Sequence, residues 1–183
     1  MIIVDDENIL RKPCEDVTPQ EVNDLVKILE AELVLSEKNG RPGIGLAAPQ
    51  IGMHKNIAIV RLDGLEINLI NPKIIKSYDQ FVFKDEGCLS FPGKLGDTLR
   101  YNEVVIEHDF GKSFVVTGLA AVVCQHEIDH LNSSLFFDRL NPIKVNEKNI
   151  KVNKRIKPND PCPCGKINPH TKQLNKYKKC CGI

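Results

Sequence analysis

The chain has 183 residues, enough for one domain of ordinary size with a short appendage and for a core buried without disulfide help. Hydrophobic residues make up 42% and charged residues 27%, both near the globular average, so wholesale disorder is excluded. The net charge of +1 conceals a partition: residues 1–138 hold 13 basic and 22 acidic residues, residues 139–183 the remaining 12 and 2. A basic tail on an acidic body points either to a polyanionic partner such as nucleic acid or to a solvated tail that binds nothing in particular. No apolar run approaches the length of a membrane span, and the start, Met1-Ile2-Ile3-Val4-Asp5-Asp6-Glu7, turns acidic at once, unlike a signal peptide. The expectation is a cytoplasmic protein with no membrane contact.

The first predicted element is a helix. Thr18 reads as its N-cap, Pro19 as its first residue and Glu21 as the reciprocal half of a capping box. Val22, Leu25, Val26, Leu29 and Leu33 recur at helical spacing, and Gly40 ends the run. Short stretches at 56–61, 65–70, 80–83, 103–108 and 113–117 are rich in Val, Ile and Phe and bounded by turn residues, which predicts short antiparallel strands. A second helix is predicted over 118–131. The fold class is therefore α+β, with short antiparallel strands packed around this central helix. Residues 143–157, rich in Lys and Asn with no clean period, read as a basic linker, and 158–183 as a small module of turns around thiols.

The second helix carries Gln125-His126-Glu127-Ile128-Asp129-His130. In H-E-x-x-H the two imidazoles lie four residues apart on one helix face and can grip one metal, while the Glu reaches a water on that metal as general base. So short a pattern also arises by accident on a charged helix, but here it follows an apolar approach, Leu119-Ala120-Ala121-Val122-Val123-Cys124. Leu119, Val122 and Val123 precede His126 by seven, four and three residues, so they share its face as candidates for an apolar substrate pocket, or as plain core. Just downstream of this helix, Leu131 to Asp138 hold one carboxylate and no His, so the third ligand is sought upstream. Cys88, in Glu86-Gly87-Cys88-Leu89-Ser90, supplies it, giving three ligands and an open position, the catalytic arrangement. Gly43-Ile44-Gly45-Leu46-Ala47-Ala48-Pro49-Gln50 lacks the Lys-Ser/Thr of a phosphate loop. Its glycines let backbone approach a ligand, and Gln50 offers an amide donor for a developing oxyanion.

Taken in order, GIGLAAPQ, EGCLS and QHEIDHL resemble the three signature motifs of the peptide deformylase family, over about residues 1–142. The resemblance implies removal of the formyl group from N-formylmethionine of nascent polypeptides. It implies Cys88, His126 and His130 as metal ligands, Glu127 as general acid/base, and Gln50 with the backbone N–H of Leu89 as oxyanion donors. It further implies that Ile44, Gly45 and Gly87 border the substrate, the backbone near Ile44 and Gly87 pairing with it in strand fashion. Arg100 sits where many relatives carry an Arg near the peptide groove, or is a solvated strand-end charge. Cys/His₂ ligation suits Fe²⁺, Zn²⁺, Ni²⁺ or Co²⁺, and the resemblance favours Fe²⁺. One departure is Ser133, where relatives commonly carry Gly; if that position needs a positive φ, Ser costs some local stability. An endopeptidase would share H-E-x-x-H without explaining the other two motifs.

In the tail, Cys162 and Cys164, then 15 residues, then Cys180 and Cys181 give two thiol pairs suited to a closed structural zinc site, with His170 as an alternative ligand. The segments around them resemble the SEC-C zinc motif. A module this small has no core of its own, so zinc would supply its fold. The expected partner of its charge is the ribosome, through ribosomal RNA. A basic zinc module of this kind could alternatively serve as an adaptor, a function separate from the hydrolase in the body.

Overall fold

In the computed structural model, which describes residues 1–62, 64–108 and 112–141, two three-stranded antiparallel sheets flank one buried helix. The described elements are α1 (Glu7–Leu10), α2 (Val22–Lys38), β1 (Gly45–Ala47), β2 (Ile57–Leu62), β3 (Leu65–Ile70), β4 (Lys73–Gly87), β5 (Leu95–His108), β6 (Lys112–Thr117) and α3 (Gly118–Leu131), with 3₁₀ turns at Ala48–Ile51 and Phe136–Arg139. One sheet has the order β1-β2-β3 and the other β4-β5-β6. The α+β expectation holds.

The apolar run Ile57-Ala58-Ile59-Val60 of β2 is buried throughout because both faces of its sheet are covered. Ile57 and Ile59 pack with Leu25, Leu29 and Leu33 of α2, while Ala58 and Val60 pack with Ala121, Val123 and Cys124 of α3. Val104, Ile106 and Val116 of the second sheet close α3 from the other side. Hence α3 is buried from Ala120 to Leu131, polar residues included. Each of those needs a partner. Gln125 finds one by mimicking a strand: its Oε1 accepts from Tyr101 N–H at 2.9 Å and its Nε2 donates to Tyr101 C=O at 2.8 Å, pinning α3 to β5.

Several expectations need correction. The first long helix begins at Val22, four residues beyond the proposed cap. Glu21 still accepts the Thr18 N–H and hydroxyl, at 2.9 and 2.7 Å, but it does so from a turn ahead of the helix. The strands read at 80–83 and 103–108 are fragments of a long hairpin: β4 has 15 residues and β5 has 14. Much of β4 is exposed, so its polar residues interrupt the apolar pattern that marks a strand. Neither α1 nor the three-residue β1 was expected.

Ser133 has φ +60°, so this position does take the left-handed conformation. It closes α3 in a Schellman motif: Ser133 N–H donates to His130 C=O at 3.2 Å and Ser134 N–H to Asp129 C=O at 2.8 Å. Among the described residues, no helix is long and apolar enough to cross a membrane. The linker at 143–157, and the tail with Cys162, Cys164, His170, Cys180 and Cys181, lie outside the described residues.

Candidate metal centre and active-site cavity

The rigid part of the site is α3. Its i, i+4 spacing places His126 and His130 on one face, and β4 ends so that Cys88 arrives opposite them. One ligand atom from each of Cys88, His126 and His130 lies within 4.8 Å of the others, and Cys88 Sγ is 3.3 Å from His130 Nε2. The three residues chosen from two distant motifs therefore meet at one point.

Their surroundings fit a cation. Burial and the charge of His126 push the His130 imidazole well below its ordinary value, leaving it neutral, the form that ligates metal. Burial also opposes charge on His126, but hydrogen bonding to Cys88 and Glu86 prevails and holds it well above the usual range. A cation entering between the three thus exchanges with a proton. The sulfur and two nitrogens form a borderline-soft set suited to a first-row divalent ion.

Glu127 is 3% exposed, and its Oε2 has no hydrogen-bond partner among the described residues. Burial pushes its carboxyl up to about 7, only partly offset by His126 and Arg100. Such a carboxyl is poised to accept and return a proton near neutral pH. Gln50 is 1% exposed: its Oε1 accepts the Ala47 N–H at 2.9 Å, which orients the amide so that Nε2 faces Cys88 Sγ at 3.5 Å and Ser90 Oγ at 3.3 Å. Leu89, next to Cys88, packs on the α2 side of the core.

These groups open onto a cavity of about 370 Å³. Ile44, Gly45, Gly87, Leu119, Val122 and Val123 all line it. They differ in kind. Leu119 is exposed at its edge, Val122 is buried, and Val123 is also part of the main core. Gly45 and Gly87 belong to β1 and β4, each at the edge of its own sheet.

Arg100 requires correction. It neither borders this cavity nor meets solvent: it is 2% exposed, one of the largest fully buried side chains of the described residues. Its Nε and Nη2 donate to Glu86 at 2.8 and 2.6 Å, and its Nη1 donates to Asp129 at 2.6 Å. Position in the strand register, not sequence, turns it inward. Glu86 is the residue that sequence reasoning missed. Its Oε1 lies 2.6 Å from His126 Nδ1, and its Oε2 accepts from Thr98 Oγ1 at 2.5 Å. Burial opposes its charge, but His126 and Arg100 prevail and hold its carboxyl down to about 2. The available signal was a carboxylate two residues before a predicted metal ligand. Such a group commonly orients a ligating imidazole.

An α+β scaffold with a Cys/His/His cluster and a buried carboxylate on one cavity defines a metallohydrolase. A family model described as polypeptide deformylase matches residues 1–146. The peptide deformylase of Acidothermus cellulolyticus is 38% identical over 138 residues, covering 73% of this chain and 74% of its own. Among solved structures, peptide deformylase from Thermotoga maritima aligns with a TM-score of 0.67 at 32% identity, covering 78% of this chain and 97% of that one. A peptide deformylase from Synechococcus elongatus, in complex with actinonin, gives 0.69 at 34% identity, covering 80% and 82%. The chain belongs to the peptide deformylase family. Its activity is that of a metallohydrolase removing the formyl group from N-formylmethionine of nascent polypeptides.

Proposed function

We propose that Cys88, His126 and His130 hold one catalytic divalent cation, with Fe²⁺ as the favoured ion, and that Glu127 moves the protons of the reaction. When bound, the cation supplies a water of lowered pKa and polarises the formyl carbonyl. Glu127 takes a proton from the attacking water and returns it to the leaving amine. Gln50 Nε2 and the backbone N–H of Leu89 are the donors toward the developing oxyanion. The edge strands β1 and β4 flank the cavity, so an extended peptide can lie between Ile44-Gly45 and Gly87 with its methionine side chain toward Leu119 and Val122.

The observation that carries this reading is the buried, unpartnered Oε2 of Glu127 beside the ligand cluster. Leaving a buried carboxylate oxygen without a partner costs stability, so its retention supports a use in the chemistry. The test is Glu127→Gln. Formate release from a formyl-Met peptide should fall about 10²–10⁴-fold while metal content stays at one ion per catalytic site. Near-parental turnover in the metal-loaded variant would remove Glu127 from the role.

For the organisation of the chain, the reading is a catalytic domain at 1–142, a basic linker at 143–157 and a zinc module at 158–183. The support is the thiol spacing and the charge partition: Cys162, Cys164, Cys180 and Cys181 would hold a structural Zn²⁺, and the basic segment would dock on ribosomal RNA. A cytoplasmic location goes with that task. The full chain should carry one zinc more than a chain stopped at Pro142, and should co-sediment with ribosomes in a salt-sensitive way that the shorter chain does not. Equal metal content and equal co-sedimentation would leave the tail without either role.

A further inference from the structure

The proposed ligands sit on two separate elements. Cys88 follows the end of β4, while His126 and His130 belong to α3. A useful site needs the thiolate and the imidazoles held at one separation, because a displacement of about 1 Å at a reacting centre can cost about 10²-fold in rate. Something must tie the strand to the helix close to the metal.

We infer that Arg100 is a positioning residue: its guanidinium is a strut between the two ligand-bearing elements and sets the separation of Cys88 from His126 and His130. Arg100 lies in the middle of β5, which pairs with β4. Two of its N–H groups grip both oxygens of Glu86, two residues ahead of Cys88, at 2.8 and 2.6 Å. A third donates to Asp129, one residue ahead of His130, at 2.6 Å. The fork therefore spans from the strand to the helix in one rigid planar group. Both carboxylates are buried, and so is the arginine, so the three groups exclude water and hold one another in place. The same Glu86 oxygen that Nη2 grips also receives His126 Nδ1, so the strut fixes the orientation of an imidazole as well as a distance. Arg139 buttresses the far side, donating to Asp129 Oδ1 at 2.7 Å from the partly exposed turn after α3.

This inference rests on the ligand set proposed above, and the experiment separates the two. The probe is Co²⁺ bound to the full chain in which Cys162, Cys164, Cys180 and Cys181 are all replaced by Ser, so that any thiolate–cobalt charge-transfer band comes from the body. Absence of that band in this parent would overturn the ligand set and the strut with it. With the band present, Arg100→Lys keeps the buried charge but cannot serve both carboxylates, and Asp129→Asn weakens the helix arm alone. Both should bind Co²⁺ about 10–100-fold more weakly, with shifted ligand-field bands and a greater fall in kcat than rise in KM. Arg61→Lys is the control, since Arg61, on β2 of the other sheet, is tied to Glu30 of α2 and Asn68 of β3 and should leave affinity and spectrum unchanged. If Arg100→Lys fails to fold, Asp129→Asn decides. Unchanged cobalt affinity and spectrum in a folded variant, whatever its loss of melting temperature, would show a purely structural role and overturn the inference.

Discussion

Gly45 and Glu127 touch: a β-carbon at Gly45 would lie 2.9 Å from Glu127 Cδ and 3.0 Å from Val123 Cγ1. The need for glycine is steric, because the carboxylate and a core valine fill the space that a methyl group would take. Gly45→Ala is therefore expected to push the Glu127 carboxylate aside without disturbing Cys88, His126 or His130. The expected loss is about 10²-fold in kcat, with metal content unchanged. Formate release alongside metal analysis checks this, and a fully active Gly45→Ala protein would mean that Glu127 has room to spare.

The three apolar residues before His126 should separate on mutation. Leu119 is exposed at the cavity edge, so Leu119→Asp is expected to leave the fold intact and raise KM for formyl-Met peptides. Val123 belongs to the main core, so Val123→Asp buries a charge without a partner and should destabilise by about 3 kcal/mol or more. Thermal unfolding together with peptide kinetics distinguishes the two outcomes.

At the end of α3, the left-handed Ser133 is strained by about 1–2 kcal/mol relative to glycine. Part of this is offset by its hydroxyl bond to Lys12 C=O at 3.2 Å and by the greater freedom of glycine in the unfolded chain. Ser133→Gly should therefore stabilise by about 0.5 kcal/mol, a rise in Tm of roughly 1–2 °C, with turnover unchanged. A fall in Tm would show that the Lys12 contact outweighs the strain.

Asp138 accepts two N–H groups of Arg11, at 2.7 and 3.1 Å, and the backbone N–H of Leu135 at 2.9 Å. The hydrogen bond from Arg11 is the main reason its carboxyl lies below the usual range. Because the folded value is depressed, the stabilisation is fully present above the ordinary carboxylate pKa and is lost as pH falls through the depressed one. Asp138→Asn should cost about 0.5–1 kcal/mol at pH 7, since the pair is partly exposed, and less at a pH well below the usual carboxylate range. Denaturant melts at the two pH values test this, and a pH-independent difference would assign the effect to the backbone cap alone.

The cluster of Cys88, His126 and His130 was legible in the sequence. An i, i+4 pair of imidazoles needs only a helix to face one metal, and Gly45, Gln50 and Cys88 were legible because their motifs stand close to a family pattern. The central helix was bounded correctly because its apolar residues, Leu119 to Cys124 and then Ile128 and Leu131, start at Gly118 and keep a helical spacing. The strands β2, β3 and β6 were read to within a residue, but the lengths of β4 and β5 were not legible, since β4 is largely exposed and its polar residues hide the period that a half-buried strand shows. Arg100 shows the same limit at the site. Alternation in a strand sends side chains to opposite faces, but which face is inside depends on the register between β4 and β5 and on where α3 packs. Only the folded chain brings Glu86, Arg100 and Asp129, separated by up to 43 positions, into one buried group. The proposed ligands and base are written in short motifs, whereas the residues packed around them are brought together by contacts between distant segments, which no local spacing records.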